Sequence, residues 1–225
     1  MITPLQLIVL STKPYRETSL LVSGYTDIKG RMDFVVNGVR TARNRAAAAV
    51  FHPLSILDAQ AYISQKKTLH RLKEYKKTLP LHSLCSDIRK SSMALFMAEL
   101  VYRTVREAEK NRELYEFLKE SIMALDKAKD PFTDRHLYFA VGLCTYLGYA
   151  LTAEQTVGSG LEVFSREEER LVEKIVSCSA DAYVPLPCTG EQRYAFLKSM
   201  MKYYEFHMGK LPQIKSLDIL NQVFL

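Results

Sequence analysis

The period of the hydrophobic pattern changes at Pro80, and no other feature constrains the fold of this chain so strongly. Before it, short apolar runs are broken by turn residues. Leu5 to Leu10 is an apolar run that Pro14 is expected to stop. Thr18, Leu20 and Val22 then alternate with Ser19, Leu21 and Ser23; Asp27 and Gly30 supply turn chemistry, and Arg31 to Val36 completes a hairpin that ends at Asn37-Gly38. Phe51-His52-Pro53-Leu54 opens a further strand running through Tyr62, and Leu69 to Leu79 alternates imperfectly and is dense in lysine. Between them, Ala42 to Val50 holds four consecutive alanines and reads as a short helical turn or irregular chain. Five short strands in about 80 residues would expose unpaired edges unless the sheet closes. The expectation for residues 1–80 is therefore a small five-stranded antiparallel β-barrel of the OB type, with an SH3-like barrel as the alternative.

Beyond Pro80 the spacing becomes helical. Met93, Phe96, Met97, Leu100, Val101, Thr104 and Val105 mark one buried stripe, and Leu114, Phe117, Leu118, Ile122 and Leu125 mark a second that breaks at Asp130-Pro131. The mixed charges of Arg106 to Glu120 read as a solvated face. A third helix carries Leu137, Phe139, Ala140, Leu143, Cys144 and Leu147 and closes near Gly148; Gly158-Ser159-Gly160 reads as a loop. Ser165 with Glu168, and Thr189 with Gln192, are capping boxes that start two more helices, the second stopped by Gly209. Residues 81–225 should thus form an all-α bundle of five or six helices, making the whole chain α+β.

Charge is distributed as unevenly as period. Residues 1–80 hold 13 Lys+Arg and 5 Asp+Glu, a net of +8, whereas residues 81–225 hold 18 and 20, a net of −2. Arg40, Arg43 and Arg45 lie within six residues, and no acidic residue occurs between Asp33 and Asp58. Arginine presents a planar, permanently charged fork that matches phosphate oxygens. Several such groups on a mobile loop would hold a polyanion without reading its bases. The electrostatics point to one nucleic-acid-facing domain and one that is not.

Other classes find little support. No apolar run approaches the roughly 18 residues that span a bilayer. The N-terminal MITPLQLIVLSTK lacks a basic region before its apolar run and a small-residue cleavage pattern, so a cytoplasmic protein without a membrane anchor is expected. Cys85, Cys144, Cys178 and Cys188 are scattered and form no CxxC pair, so they read as free thiols. His52, His70, His82, His136 and His207 share no ligand spacing with them, and neither a metal nor another cofactor is expected. Glycine-rich phosphate loops, HExxH and GxSxG are all missing. The acidic run Glu167 to Glu169 falls in the first turn of a helix, where it opposes the dipole, so nothing in the sequence calls for an enzyme.

The order of features resembles a known family. The segment VL…PYRETSLLV…YT…KGR…VVNGVR, the basic loop, and FHPLSIL are similar to the N-terminal OB domain of RecO, the bacterial recombination mediator and DNA repair family. LYFAVGLCTYLGY at Leu137 to Tyr149 resembles that family's helix ending in Leu-Gly-Tyr, and YYEFHMGKLPQIKSLDIL at Tyr203 to Leu220 resembles its closing helix. One departure is clear: many members carry a four-cysteine zinc module after the Leu-Gly-Tyr element, and Leu151 to Phe164 here contains no cysteine.

The resemblance implies binding of single- and double-stranded DNA, annealing of strands coated with the single-stranded DNA-binding protein SSB, and action with RecR to load RecA, in a nucleoid-associated cytoplasmic setting. Arg31, Arg40, Arg43 and Arg45, with Lys66, Lys67, Arg71, Lys73, Lys76 and Lys77, would then track phosphates, and Tyr62 and Tyr75 would be available to stack on bases. The family also captures the acidic, phenylalanine-ended tail of SSB in its helical domain. Arg135, Tyr138, Phe139 and Leu143 are the candidates for that pocket, which needs an apolar floor and a cation for the carboxylate. Two other classes share parts of the pattern. A generic OB-fold single-strand binder needs the basic barrel but not the helical half, and a helical interaction scaffold needs only the latter.

Overall fold

The computed structural model describes residues 2–64, 66–152, 163–178 and 183–224, with Ala42, Arg45 and Ala46 described by their backbone alone. The Gly158-Ser159-Gly160 loop lies outside the described residues. Strands β1 (Ile2–Tyr15), β2 (Ser19–Thr26), β3 (Gly30–Val36), β4 (Ile56–Tyr62) and β5 (Leu69–Lys77) close a barrel in the order β1-β2-β3-β5-β4. That connectivity is the OB arrangement expected from the sequence. It departs from a wholly antiparallel barrel only at β3 and β5, which run parallel where Asp33, Phe34 and Val35 pair with Leu69, His70 and Arg71.

β1 explains the unbroken apolar run. It pairs with β4 through residues 2–8 and with β2 through residues 7–15, and its two faces are covered by different cores. Leu5, Leu7 and Val9 point into the barrel with Val22, Phe34, Leu57 and Leu72, while Ile8 and Leu10 point outward into the helical core. Pro14 does not stop the strand. By that point β1 pairs with β2 alone, opposite Leu20, and an edge has no need of the missing N–H. The start of the fourth strand also differs, since residues 51–55 form a corner in which Leu54 has φ 63° and its N–H donates to Val9 O at 2.8 Å.

A 3-10 turn at Ala42–Asn44 and a short α1 (Arg45–Ala48) lie between β3 and β4, and after β5 the barrel gives way to α2 (His82–Ser86), α3 (Ile88–Thr104), α4 (Arg112–Lys127), α5 (Arg135–Tyr146), α6 (Arg166–Ser177), α7 (Gly190–Met208) and α8 (Ser216–Phe224). Seven helices follow the barrel among the described residues, against an expectation of five or six; α2 and α8 were not separable in the sequence. Both capping boxes form, Ser165 with Glu168 and Thr189 with Gln192, and Gly209 ends α7 at φ 75°. α3 is the central helix, with Phe96, Leu100 and Val101 wholly buried. α8 is fixed to it by Glu99, whose Oε2 accepts from Ser216 N at 2.8 Å and from Ser216 Oγ at 2.6 Å. Buried Lys90 donates from Nζ to Ala128 O at 2.6 Å and Asp126 O at 2.9 Å, satisfying carbonyls at the end of α4.

Barrel and helices meet in a bonded seam. Gly30 has φ 64°, and a Cβ there would stand 2.3 Å from Glu109 O, so only glycine lets the β2–β3 turn approach the 105–111 segment. Tyr25 Oη donates to Asn111 O at 3.4 Å and Tyr115 Oη donates to Gln6 Oε1 at 3.1 Å. Burial and the nearby Glu107 carboxylate push the Tyr25 phenol up to about 12, which keeps it a neutral donor.

Candidate nucleic-acid interface and apolar groove

β-Sheet pairing aligns a row around the outside of the barrel that is exposed at Ile2, Tyr62 and Arg71 and half-buried at Val35 and Leu21. Tyr62 on β4 pairs with Ile2 on β1 and with Arg71 on β5, Arg71 pairs with Val35 on β3, and Val35 pairs with Leu21 on β2. Directly paired residues share a face, so Ile2, Tyr62, Arg71, Val35 and Leu21 form one outward band. Tyr62 is 44% exposed and Ile2 39% exposed. An exposed ring beside a guanidinium on a flat strand surface can take a base on one and a phosphate on the other.

Cations surround this band. Lys66 and Lys67 are exposed in the β4–β5 connection, and Lys76 and Lys77 are exposed on β5. The bulge that breaks the register between Gln60 and Ala61 leaves Lys73 without a cross-strand partner, and its Nζ lies 3.2 Å from Glu74 Oε1. Tyr75 is less available than Tyr62, because its ring packs 4.7 Å from Phe51 against the barrel core.

The arginine loop is tied to the barrel at several points. Buried Val39 anchors it in the barrel, Gly38 turns at φ 72°, and Asn44 Nδ2 and Thr41 Oγ1 donate to Gly38 O at 2.9 and 3.3 Å. Arg40 is exposed but folds back on the β1–β2 turn, donating from Nη1 to Arg16 O at 3.1 Å and Glu17 O at 3.4 Å. Arg43 is exposed and forms no ion pair among the described residues. Arg45 begins α1; its side chain is not among those described.

Arg31 stands apart from these residues. Its Nη1 donates to Tyr102 O at 2.7 Å and Val105 O at 3.1 Å, its N–H donates to Glu107 O at 3.2 Å, and its guanidinium lies 4.2 Å from the Tyr102 ring. A guanidinium so engaged is a rivet of the seam, set apart from the exposed cations of the barrel. Local sequence carries no sign of this, because the partners of the guanidinium are backbone carbonyls 71 to 74 residues away.

The helical half holds a groove of about 770 Å³ between α4, α5 and α6. Its aromatic wall is a stack in which the Phe117 ring lies 5.4 Å from Phe139 and 4.6 Å from Tyr146. Gly142 makes the stack possible, since a Cβ there would meet the Phe117 ring at 3.1 Å. Lys127 and Arg135 bring positive charge to the lining. Of the four groove candidates, Arg135, Tyr138 and Phe139 line it, while Leu143 is wholly buried in the helical core and does not reach it. Tyr138 Oη donates to Val184 O at 2.8 Å, and burial raises its pKa above the ordinary tyrosine value. Burial lowers the pKa of Arg135, whose Nε has no hydrogen-bond partner among the described residues.

Phe117, Tyr146, Lys127 and Tyr183 were not anticipated as groove residues. The apolar spacing had assigned Phe117 to the core, and only the approach of α4 to α5 shows it as a wall. Among the described residues no group of three or more His, Cys, Asp or Glu side chains could hold a metal ion. Cys85 is exposed, Cys144 buried, and Cys178 and Cys188 are half-buried thiols.

With these surfaces in hand, comparison with known proteins is informative. Residues 1–79 match the family described as Recombination protein O N terminal, and residues 85–186 match Recombination protein O C terminal. The DNA repair protein RecO of Phocaeicola vulgatus is 30% identical over 233 residues, covering 96% of this chain and 97% of the relative. The chain belongs to the RecO family. The RecO of Bacteroides fragilis is also 30% identical, over 235 residues, and that of Porphyromonas gingivalis 25% identical over 241 residues, each covering 96% of this chain and 97% of the relative. The two RecO segments abut between residues 79 and 85, where β5 has ended at Lys77 and α2 starts at His82.

Proposed function

We propose that this chain is a non-enzymatic DNA repair and recombination mediator working in the bacterial cytoplasm at the nucleoid. Its barrel, residues 1–80, binds single- and double-stranded DNA. Its helical domain, residues 81–225, captures the acidic C-terminal tail of SSB, so that complementary strands carrying SSB are brought together and annealed. With RecR as a further partner it helps RecA load at gaps.

The observation that carries the reading is the exposed band through Tyr62 and Arg71, flanked by cations. Arg43, Lys66, Lys67 and Arg71, with Lys73, Lys76 and Lys77 alongside and Arg40 and Arg45 in the adjoining loop, would neutralise phosphates and release counterions, giving steep salt dependence with little sequence preference. Tyr62 would add stacking, worth about 1–3 kcal/mol per base. Arg31 has no part in this surface. In the groove, the Phe117–Phe139–Tyr146 stack offers an apolar seat for a terminal phenylalanine and Arg135 offers a partner for its carboxylate.

Titration of labelled single strands with the unaltered protein and with Tyr62→Ala tests the barrel surface. The reading expects a five- to hundredfold loss of affinity across base compositions, about 1–3 kcal/mol. A folded Tyr62→Ala protein that binds every strand as well as the unaltered one would remove the band from the DNA site. A generic OB binder is the alternative outcome if strands are bound but the SSB tail is not.

A further inference from the structure

Arg135 occupies the groove without a carboxylate partner among the described residues, and its Nε is buried and unbonded. What it does have is a cover. Its guanidinium carbon lies 4.3 Å from the centre of the Tyr183 ring. Tyr183 is itself held on two sides: its ring meets that of Tyr138 at 5.4 Å and 60°, and its hydroxyl accepts the Asp134 N–H at 3.3 Å. Burial pushes the Tyr183 phenol up to about 12, so it stays neutral.

The segment that follows is fastened to the start of α5. Val184 O accepts from Tyr138 Oη at 2.8 Å, Leu186 N donates to Asp134 Oδ2 at 2.8 Å, and Asp134, 1% exposed, pairs with Arg193 at 3.1 Å. The Asp134–Arg193 pair therefore fixes the strap, the strap fixes Tyr183, and Tyr183 lies against Arg135.

We propose that Tyr183 is a positioning residue that gives the groove its preference for a peptide ending in a free carboxylate, an inference that rests on the groove reading above. The ring holds the planar guanidinium in one orientation through its face, and Arg135 itself lines the groove. A bare arginine side chain would have to be ordered by each incoming peptide, at an entropic cost that this arrangement has already met within the fold. The chemical class selected is an acidic peptide with an aromatic last residue and an ionised terminus. An amidated peptide retains the apolar contact and loses the fork-to-carboxylate pairing.

The experiment measures dissociation constants of an acidic, phenylalanine-ended fluorescent peptide, as free acid and as C-terminal amide, for the full chain. The unaltered protein is expected to prefer the acid by about tenfold or more, the range of a charge-assisted pair. Tyr183→Leu should lower that acid-over-amide ratio about fivefold, weakening binding of the acid more than binding of the amide. Tyr183→Phe, which keeps the ring, should retain the preference, and Arg135→Lys, which keeps the charge without the planar face, should lose it. Equal weakening of acid and amide in Tyr183→Leu would mark a merely structural role and overturn the proposal, as would Tyr183→Phe behaving like Tyr183→Leu. An unaltered protein that binds neither peptide removes the groove reading and this inference with it. A clear acid preference that survives Tyr183→Leu removes this inference alone.

Discussion

Arg43, Lys66, Lys67 and Arg71 are all exposed, and none makes an ion pair among the described residues, so replacing all four by alanine removes charge from the barrel while leaving internal bonds intact. Lys73, beside Glu74, and Arg40, bonded to two carbonyls, are left in place because their loss would also disturb the protein. Each cation that neutralises one phosphate of a single strand contributes about 0.7 to the slope of log affinity against log salt. If all four do so, the slope falls by about 2.8; between 50 and 200 mM salt the unaltered protein then loses about 50-fold more affinity than the variant. Fluorescence anisotropy with an unstructured labelled oligonucleotide across a salt series reads this directly. Loss of affinity at low salt with convergence at high salt is the expected pattern. A folded quadruple variant with the slope of the unaltered protein would refute the assignment of these residues to phosphate.

Other consequences concern the seam, the caps and pH. Gly30→Ala should destabilise by about 3 kcal/mol or more, combining the left-handed backbone penalty with a collision at Glu109 O, read by urea denaturation; a change below about 1 kcal/mol would contradict the packed turn. Arg31→Ala should cost about 2–4 kcal/mol and speed amide exchange in residues 105–111 without changing the salt slope of DNA binding. Ser165→Ala should cost about 1 kcal/mol through loss of the α6 capping box. Burial and the Arg193 charge hold His136 neutral, with its pKa lowered from 6.5 to about 3. The unfolded chain therefore takes up a proton that the folded chain refuses, and stability falls as pH drops below about 6.5, by about 2 kcal/mol at pH 5. His136→Phe should flatten that part of the pH profile, measured by chemical denaturation from pH 7 to 5.

The sequence was most legible where local chemistry decides structure. Ser165 with Glu168 and Thr189 with Gln192 announce helix starts because both halves of a capping box lie three residues apart. The alternating strands announced a closed barrel. Pro14 misled because the chain does not reveal which stretch of a strand lies at an edge. The tight packing of Gly30 on Glu109 O and the bonding of Arg31 into the seam were invisible for a related reason: both depend on backbone atoms of a distant segment. The band proposed to face DNA was only partly legible. Its cations could be counted, but the alignment of Tyr62 with Arg71 and Ile2 is a matter of register, which no local pattern supplies. Of the candidates on α5, Phe139 lines the groove while Leu143, four residues on, faces the core. Helical spacing identifies a buried stripe and does not say which of its members borders a cleft.

The central claim is that DNA binding by the barrel and tail capture by the groove work in one molecule. The most direct test is the rate at which the full chain anneals complementary DNA strands already coated with SSB of the same organism, compared with strands coated by SSB lacking its acidic tail, over a salt series. The account predicts acceleration with intact SSB that salt abolishes and that falls sharply when the tail is removed. Strand binding without any acceleration on SSB-coated DNA, at any salt, would contradict it.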